Sequence, residues 1–386
     1  MNVEKKNMYL AIGKPYTGKE EIEAIRKVLE TGCIAGTCPE TKDFEAALAK
    51  YVGTEHAVAV SSATTGLHTA LIVCGVKSND EVIVADYTFP ASAFAIIHCG
   101  AKPVFADVKM DTYCIDCDDI EKKITAKTKA IMPVGQFGMP GDRDRILEIA
   151  DKYNLKVIWD SATGLGSEYK WKKIGTFQDC EVFSFYPTKI LSTGEGGVIT
   201  TNNKEIADLA KSIVDFGKVK TKEGVSFDKL GYNYRLSAIH AAIGIAQLHK
   251  LSDFVKHRRE LAAYYKQRIN EEVESLYWLR PQFEPSDRKS AWQRFVCIAS
   301  HKDIPTLRDD VMAYLNANGV ESVKGNYALH QLPVFKDLCW PIEECPKSAY
   351  VYRHSLALPL HYMMDKKDVD TVIERLIEFR KEHARL

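Results

Sequence analysis

A chain of 386 residues with 46% apolar content can bury a large core and build two domains. Its 52 Lys and Arg balance 52 Asp and Glu, so no basic field points to nucleic acid, and a phosphorylated ligand must be gripped by local groups. No apolar run of about 18 residues predicts a membrane span, and Met1 to Lys6 leads into no signal-peptide-like stretch, so a cytoplasmic location is expected.

In chain order, Thr17 with Glu20 reads as a capping box opening a helix. Its Ile22, Ile25, Val28 and Leu29 share a face, and Gly32 is its stop. Six apolar runs of strand length follow, alternating with helical patterns: Ala57 to Val60, Glu81 to Ala85, Pro103 to Ala106, Ala130 to Val134, Lys156 to Trp159 and Glu181 to Phe185. This alternation predicts an α/β domain on a mostly parallel sheet. At or just beyond the carboxyl ends of these runs stand Ser62, Phe89, Asp160 and Ser184, where open α/β sheets bind ligands. After Ser237, Ile239, Ala242, Ile243 and Ala246 describe an amphipathic helix, and Lys250 to Arg259 begins a long charged one. A boundary is therefore expected near 250, with a large cofactor-binding domain over 1–250 and a small domain over 251–386. The last helix carries Val369, Val372, Ile373, Leu376 and Ile377 at helical spacing, the pattern of a small-domain core.

Ten cysteines in a chain without a secretion signal are expected to stay reduced. Cys114 and Cys117 form a lone Cys-x-x-Cys, and no second pair completes a zinc site, so no metal is expected. His330 and His361 have no placed partner and read as structural.

The chemistry concentrates around Lys189, in the run Phe183-Ser184-Phe185-Tyr186-Pro187-Thr188-Lys189 that leads to Gly194-Glu195-Gly196-Gly197. Most lysines are solvated surface charges, and most aspartates after strands are turn or cap residues. The neighbours argue otherwise here. The glycines allow close backbone approach to a ligand, and the Ser184 hydroxyl suits a phosphate oxygen. A lysine in a buried loop can form a Schiff base with an aldehyde cofactor, and Asp160, ending a strand, can hold a pyridinium nitrogen protonated. Together they point to pyridoxal phosphate. A phosphate site is also expected where the strand from His56 runs through Ser61 and Ser62 into a helix, with the backbone N–H groups of Ala63 and Thr64 as donors.

These residues resemble the DegT/DnrJ/StrS family of pyridoxal-phosphate-dependent sugar aminotransferases, almost end to end. Gly53-Thr54-Glu55-His56 with Ala57 to Ser62 is similar to the family's phosphate-binding entry. Tyr87-Thr88-Phe89 resembles the segment whose aromatic residue, here Phe89, stacks on the cofactor ring. Gly231 to Ser237 resembles the segment in which an asparagine, here Asn233, reaches the phosphate of the neighbouring subunit, which implies a homodimer with shared active sites. Leu329 to Pro333 and Leu358 to His361 fit less specifically. Three positions depart from the family pattern. Thr163 stands where Gln or His is usual, Ala63 where glycine is common, and Gln293 where histidine is frequent. The resemblance implies a fold-type I architecture, with a large mostly parallel sheet domain and a smaller C-terminal α+β domain. Lys189 and Asp160 are the implied catalytic pair. Ala63, Thr64, Phe89, Asp160, Thr163, Ser184, Lys189 and Asn233 are the implied cofactor contacts. The implied reaction moves an amino group from glutamate to a nucleotide-linked keto-sugar, a 4-keto-6-deoxy or 3-keto hexose. Related dehydratases carry histidine in place of the lysine, so Lys189 argues against that branch; another lyase activity or a cofactor-binding regulator is the alternative, and nothing resembles an attached DNA-binding module.

Overall fold

The computed structural model describes residues 9–175, 177, 179–336 and 344–383. A seven-stranded sheet comprises β1 (His56–Val60), β2 (Glu81–Ala85), β3 (Lys102–Ala106), β4 (Thr128–Met132), β5 (Lys156–Asp160), β6 (Cys180–Ser184) and β7 (Gly197–Thr201). Their spatial order is β1-β7-β6-β5-β4-β2-β3. Strands β3, β2, β4, β5 and β6 pair in parallel, while β7 runs antiparallel to both β1 and β6. All six expected strands are present within two residues, and β7 is an addition. Its Gly-Val-Ile-Thr-Thr sequence follows directly on the glycine-rich loop, which hides the strand's start.

Alternation across the strands explains why helices cover both faces of the sheet around β1, β6 and β7. Val58, Val60, Val182 and Ile199 enter one core with Leu67 and Leu71 of helix Ala63–Val73. Ala57, Ala59, Phe183 and Val198 enter another with Phe44 and Leu48 of helix Pro39–Val52. A second, antiparallel sheet is built from β8 (Leu279–Pro281), β9 (Phe295–Ala299), β10 (Val323–Lys324) and β11 (Ser355–Leu358) in the order β8-β9-β11-β10. Helices Leu307–Ala317 and Lys366–Glu382 close its core, with Val369, Val372, Ile373 and Leu376 buried as their spacing predicts.

Three local expectations are corrected. The first helix is Lys19–Thr31 with Gly18 as its N-cap, and Glu21, not Glu20, reaches back to the cap, accepting from Gly18 N at 2.7 Å. Glu21 is held there by Lys250 Nζ at 2.7 Å and Gln247 Nε2 at 2.8 Å. Of the proposed apolar face only Val28 is buried, whereas Ile22 and Leu29 are 68% and 56% exposed. The two helices expected around residue 250 are one, Ala238–Glu271. Its Leu251, Phe254 and Val255 pack in the large-domain core and its Leu261, Ala262 and Tyr265 in the C-terminal one, so the chain changes cores inside a continuous helix. Finally, Cys33 and Cys38 are joined in a disulfide, because the turn after Gly32 brings their Cα atoms to 5.9 Å. Cys114 and Cys117 are buried free thiols. Among the described residues no helix is long and apolar enough to cross a membrane.

Candidate active site

Register places the carboxyl ends of β1, β6 and β5 side by side. Val60 pairs with Gly197, Gly197 with Ser184, and Asp160 with Val182. Helix Ala63–Val73 starts at this edge, capped by Ser62, whose Oγ accepts from Thr65 N. Ala63 and Thr64 occupy its first two positions, where N–H groups have no acceptor inside a helix. A Cβ on Gly197 would meet Ala63 N at 2.7 Å, so only glycine lets β7 pass this close to the helix start.

The loop between β6 and β7 is held by its own backbone: Phe185 N donates to Gly196 O at 2.9 Å, Thr193 N to Phe185 O at 2.9 Å and Lys189 N to Tyr186 O at 2.8 Å. It carries Lys189, half-buried, into a cleft lined also by Phe89, Asp160 and Thr163 from the first sheet's side and by Gln293, Arg294 and Asn326 from the second. Gln293 Nε2 ties the two sides together by donating to Thr188 O at 2.7 Å. Burial and the Arg294 guanidinium pull the Lys189 amine down to about 8, against the opposing effect of Asp160.

Asp160 is only 5% exposed. Its carboxylate accepts from Ser92 Oγ at 2.7 Å and from Ala162 N at 3.1 Å. Burial nevertheless pushes this carboxyl above its usual range, with those two bonds and the Lys189 charge working the other way. Thr163 Oγ1 donates to Gly135 O at 2.7 Å and accepts from Gly138 N at 3.3 Å, so its hydroxyl is engaged with the cleft's backbone.

The remaining expected residues sit as follows. Phe89 is 61% exposed beside the cleft, in edge contact with Tyr327. Ser184 is buried at the end of β6, and its Oγ accepts from Tyr186 N at 3.4 Å. Asn233 is exposed and does not line the cleft of its own chain. His330 has a partner that the sequence did not reveal, the fully buried Asp86, which accepts from its Nδ1 at 2.6 Å and its backbone N at 2.8 Å. His361 is buried, which lowers its imidazole to about 4.

Sequence reasoning missed Ser92, Arg294, Gln136 and Asn326. The one available signal was at Arg294, a charge immediately before the wholly apolar run Phe295 to Ala299. Asn326 Nδ2 donates to Gln136 Oε1 at 3.1 Å, and its backbone N donates to Tyr87 Oη at 2.8 Å.

GDP-perosamine synthase of Caulobacter vibrioides is 34% identical over 367 residues, spanning 95% of this chain and 97% of its own. The Helicobacter pylori aminotransferase PseC, involved in the biosynthesis of pseudoaminic acid, matches with a TM-score of 0.90 at 26% identity, covering 97% of this chain and 100% of that one. Spr1654 of Streptococcus pneumoniae, solved in a PLP-form, matches with a TM-score of 0.90 at 27% identity, covering 97% and 99%. The architecture is that of the fold-type I aminotransferases expected above. A family model also matches residues 15–377, and with it the chain belongs to the DegT/DnrJ/EryC1/StrS aminotransferase family.

Proposed function

We propose that this pyridoxal-phosphate-dependent sugar aminotransferase takes its amino group from glutamate and delivers it to a keto group on a nucleotide-linked sugar, a 4-keto-6-deoxy or 3-keto hexose, working as a cytoplasmic homodimer. The observation that carries the reading is the convergence of Lys189 and Asp160 in one cleft, the lysine with a lowered amine and the aspartate buried. A nucleotide-linked acceptor is supported by the relative named for GDP-perosamine.

The residues present fit the cofactor on chemical grounds. Asp160 is a buried carboxylate short of positive charge, which a protonated ring nitrogen supplies. The first N–H groups of helix Ala63–Val73 and the Ser184 hydroxyl suit a phosphate, and the exposed Phe89 ring offers a stacking face. When bound, pyridoxal phosphate supplies an aldehyde that takes up an amine and a ring that draws off the electron pair of a broken carbon–hydrogen bond. Asp160, steadied by Ser92, keeps a proton on the ring nitrogen. Lys189 Nζ, with its amine near neutrality at about 8, both removes a proton from carbon and returns one, first on the amino donor and then on the sugar. Gln293 and the backbone bonds of the β6–β7 loop hold that nitrogen in place.

The test is the absorption spectrum of the protein loaded with pyridoxal phosphate, before and after glutamate, with 2-oxoglutarate assayed in parallel. A spectral change with 2-oxoglutarate formation is expected. Lys189→Ala should abolish turnover while noncovalent cofactor binding persists, and near-normal turnover of that variant would overturn the assignment.

A further inference from the structure

We propose that Arg294 is the residue by which the cleft recognises a carboxylate, carried either by the amino donor or by the sugar. The proposal rests on the aminotransferase reading above and deepens it. Arg294 immediately precedes β9 and lines the same cleft as Lys189 and Asp160. It makes no hydrogen bond or ion pair with any described residue. The titratable groups that face it are Tyr87, Tyr327, Glu321 and Lys189. The one carboxylate among them, Glu321, is engaged with Ile12 N at 2.9 Å.

The donors of this half-buried guanidinium have no partner among the described residues and are left to the water of the cleft, and burial weakens its hold on its proton. A guanidinium without such a partner, placed beside Lys189 in the cleft, is open to an anion that a ligand brings. The planar fork of arginine matches a carboxylate in two parallel bonds. The cofactor's phosphate does not supply this anion, because its proposed donors lie at the β1–β7–β6 end of the large sheet, whereas Arg294 enters from the second sheet beside Gln293 and Asn326. The guanidinium thus faces the space where donor and sugar must meet Lys189.

The experiment uses the cofactor-loaded protein and two unreactive carboxylates, glutarate for the donor skeleton and glucuronate for an acidic hexose, with glucose as the neutral control. Calorimetry of the wild type, Arg294→Leu and Arg294→Lys gives their affinities, and cofactor absorbance confirms that each variant is folded and loaded. Arg294→Leu should weaken a carboxylate roughly 100-fold and Arg294→Lys less, with glucose unaffected. The pH midpoint of the Lys189-linked absorbance should rise in Arg294→Leu, because a neighbouring positive charge is gone, and hold in Arg294→Lys. Loss confined to glutarate assigns the carboxylate to the donor, and loss confined to glucuronate assigns it to the sugar. Failure of the wild type to bind either, or unchanged binding of both by Arg294→Leu, overturns the proposal. Should Arg294→Leu fail to load, Arg294→Lys alone decides: wild-type affinity for both glutarate and glucuronate in the lysine variant would also overturn the proposal. A wild type that forms no 2-oxoglutarate yet shows the Arg294-dependent binding would sink the glutamate reading and leave this one standing.

Discussion

At the scale of single residues, the proposed site sets two charges where burial opposes them. An exposed lysine is almost wholly protonated near neutral pH, with a pKa of about 10.4, whereas Lys189 sits at about 8. Only the neutral amine attacks an aldehyde, so the rate of cofactor uptake by apo protein should climb from pH 6 to pH 9 with a midpoint near 8. Stopped-flow absorbance measures this directly, and a midpoint near 10 would show that the amine is not shielded. Asp160 poses the complementary problem, since its ionised form depends on few partners. Ser92→Ala removes the shorter of its two hydrogen bonds and should lower cofactor affinity by about 10- to 150-fold, given that a hydrogen bond to a charged group contributes about 1.5–3 kcal/mol. Equilibrium titration of apo protein would show it, and unchanged affinity would reduce Ser92 to a bystander. Lys189 and Asp160 were legible in the sequence because each stands in a local context, a strand end or a glycine-rich loop, that is itself informative. Ser92 was not, because it meets Asp160 across 68 residues of chain, and a serine in a helical stretch carries no mark of the carboxylate it will bond.

At the scale of elements, packing decides where local propensity alone would mislead. Gly244 lies mid-helix in Ala238–Glu271, where replacing glycine by alanine ordinarily gains about 1 kcal/mol. Here a Cβ would lie 2.5 Å from the ring of Phe44, which is fully buried. Overpacking of this kind costs roughly 1–3 kcal/mol, so Gly244→Ala should be net destabilising in urea unfolding, and Phe44→Leu in the same chain should recover part of the loss. A stabilised single variant would show that the two helices separate more easily than their contact suggests. The same competition explains what was and was not readable in the fold. The six strands were evident because alternating or continuous Val, Ile and Ala runs were bounded by turn residues. β7 was not, because its glycine start merged with the loop before it. The helix through residue 250 looked like two because its sequence changes from small apolar to charged residues, yet backbone hydrogen bonding does not stop where composition changes. Ile22 and Leu29 fit a helical period, but period alone does not say that a face has a partner within the chain.

At the scale of the whole molecule, the single chain leaves two features without use. Asn233 is exposed and away from the cleft, and nearby Val225, Phe227 and Leu230 are 63%, 62% and 81% exposed. These apolar side chains lie on or close to one hairpin, Lys218–Thr221 with Gly224–Phe227. If a second copy covers it and Asn233 reaches that copy's phosphate site, each active site needs Lys189 from one chain and Asn233 from the other. The consequence is a complementation test. Lys189→Ala homodimers lack the amine in both sites, and Asn233→Ala homodimers lack the amide in both. In a dimer mixed from the two, one site keeps both residues and the other keeps neither. Random reassortment makes about half the dimers mixed, each with one intact site of two, so refolding the two weakly active variants together should restore roughly a quarter of wild-type activity. Activity no greater than the mean of the two separate variants, with mixed dimers verified by differential tagging, would show that each chain builds its site alone and that Asn233 does not act in trans.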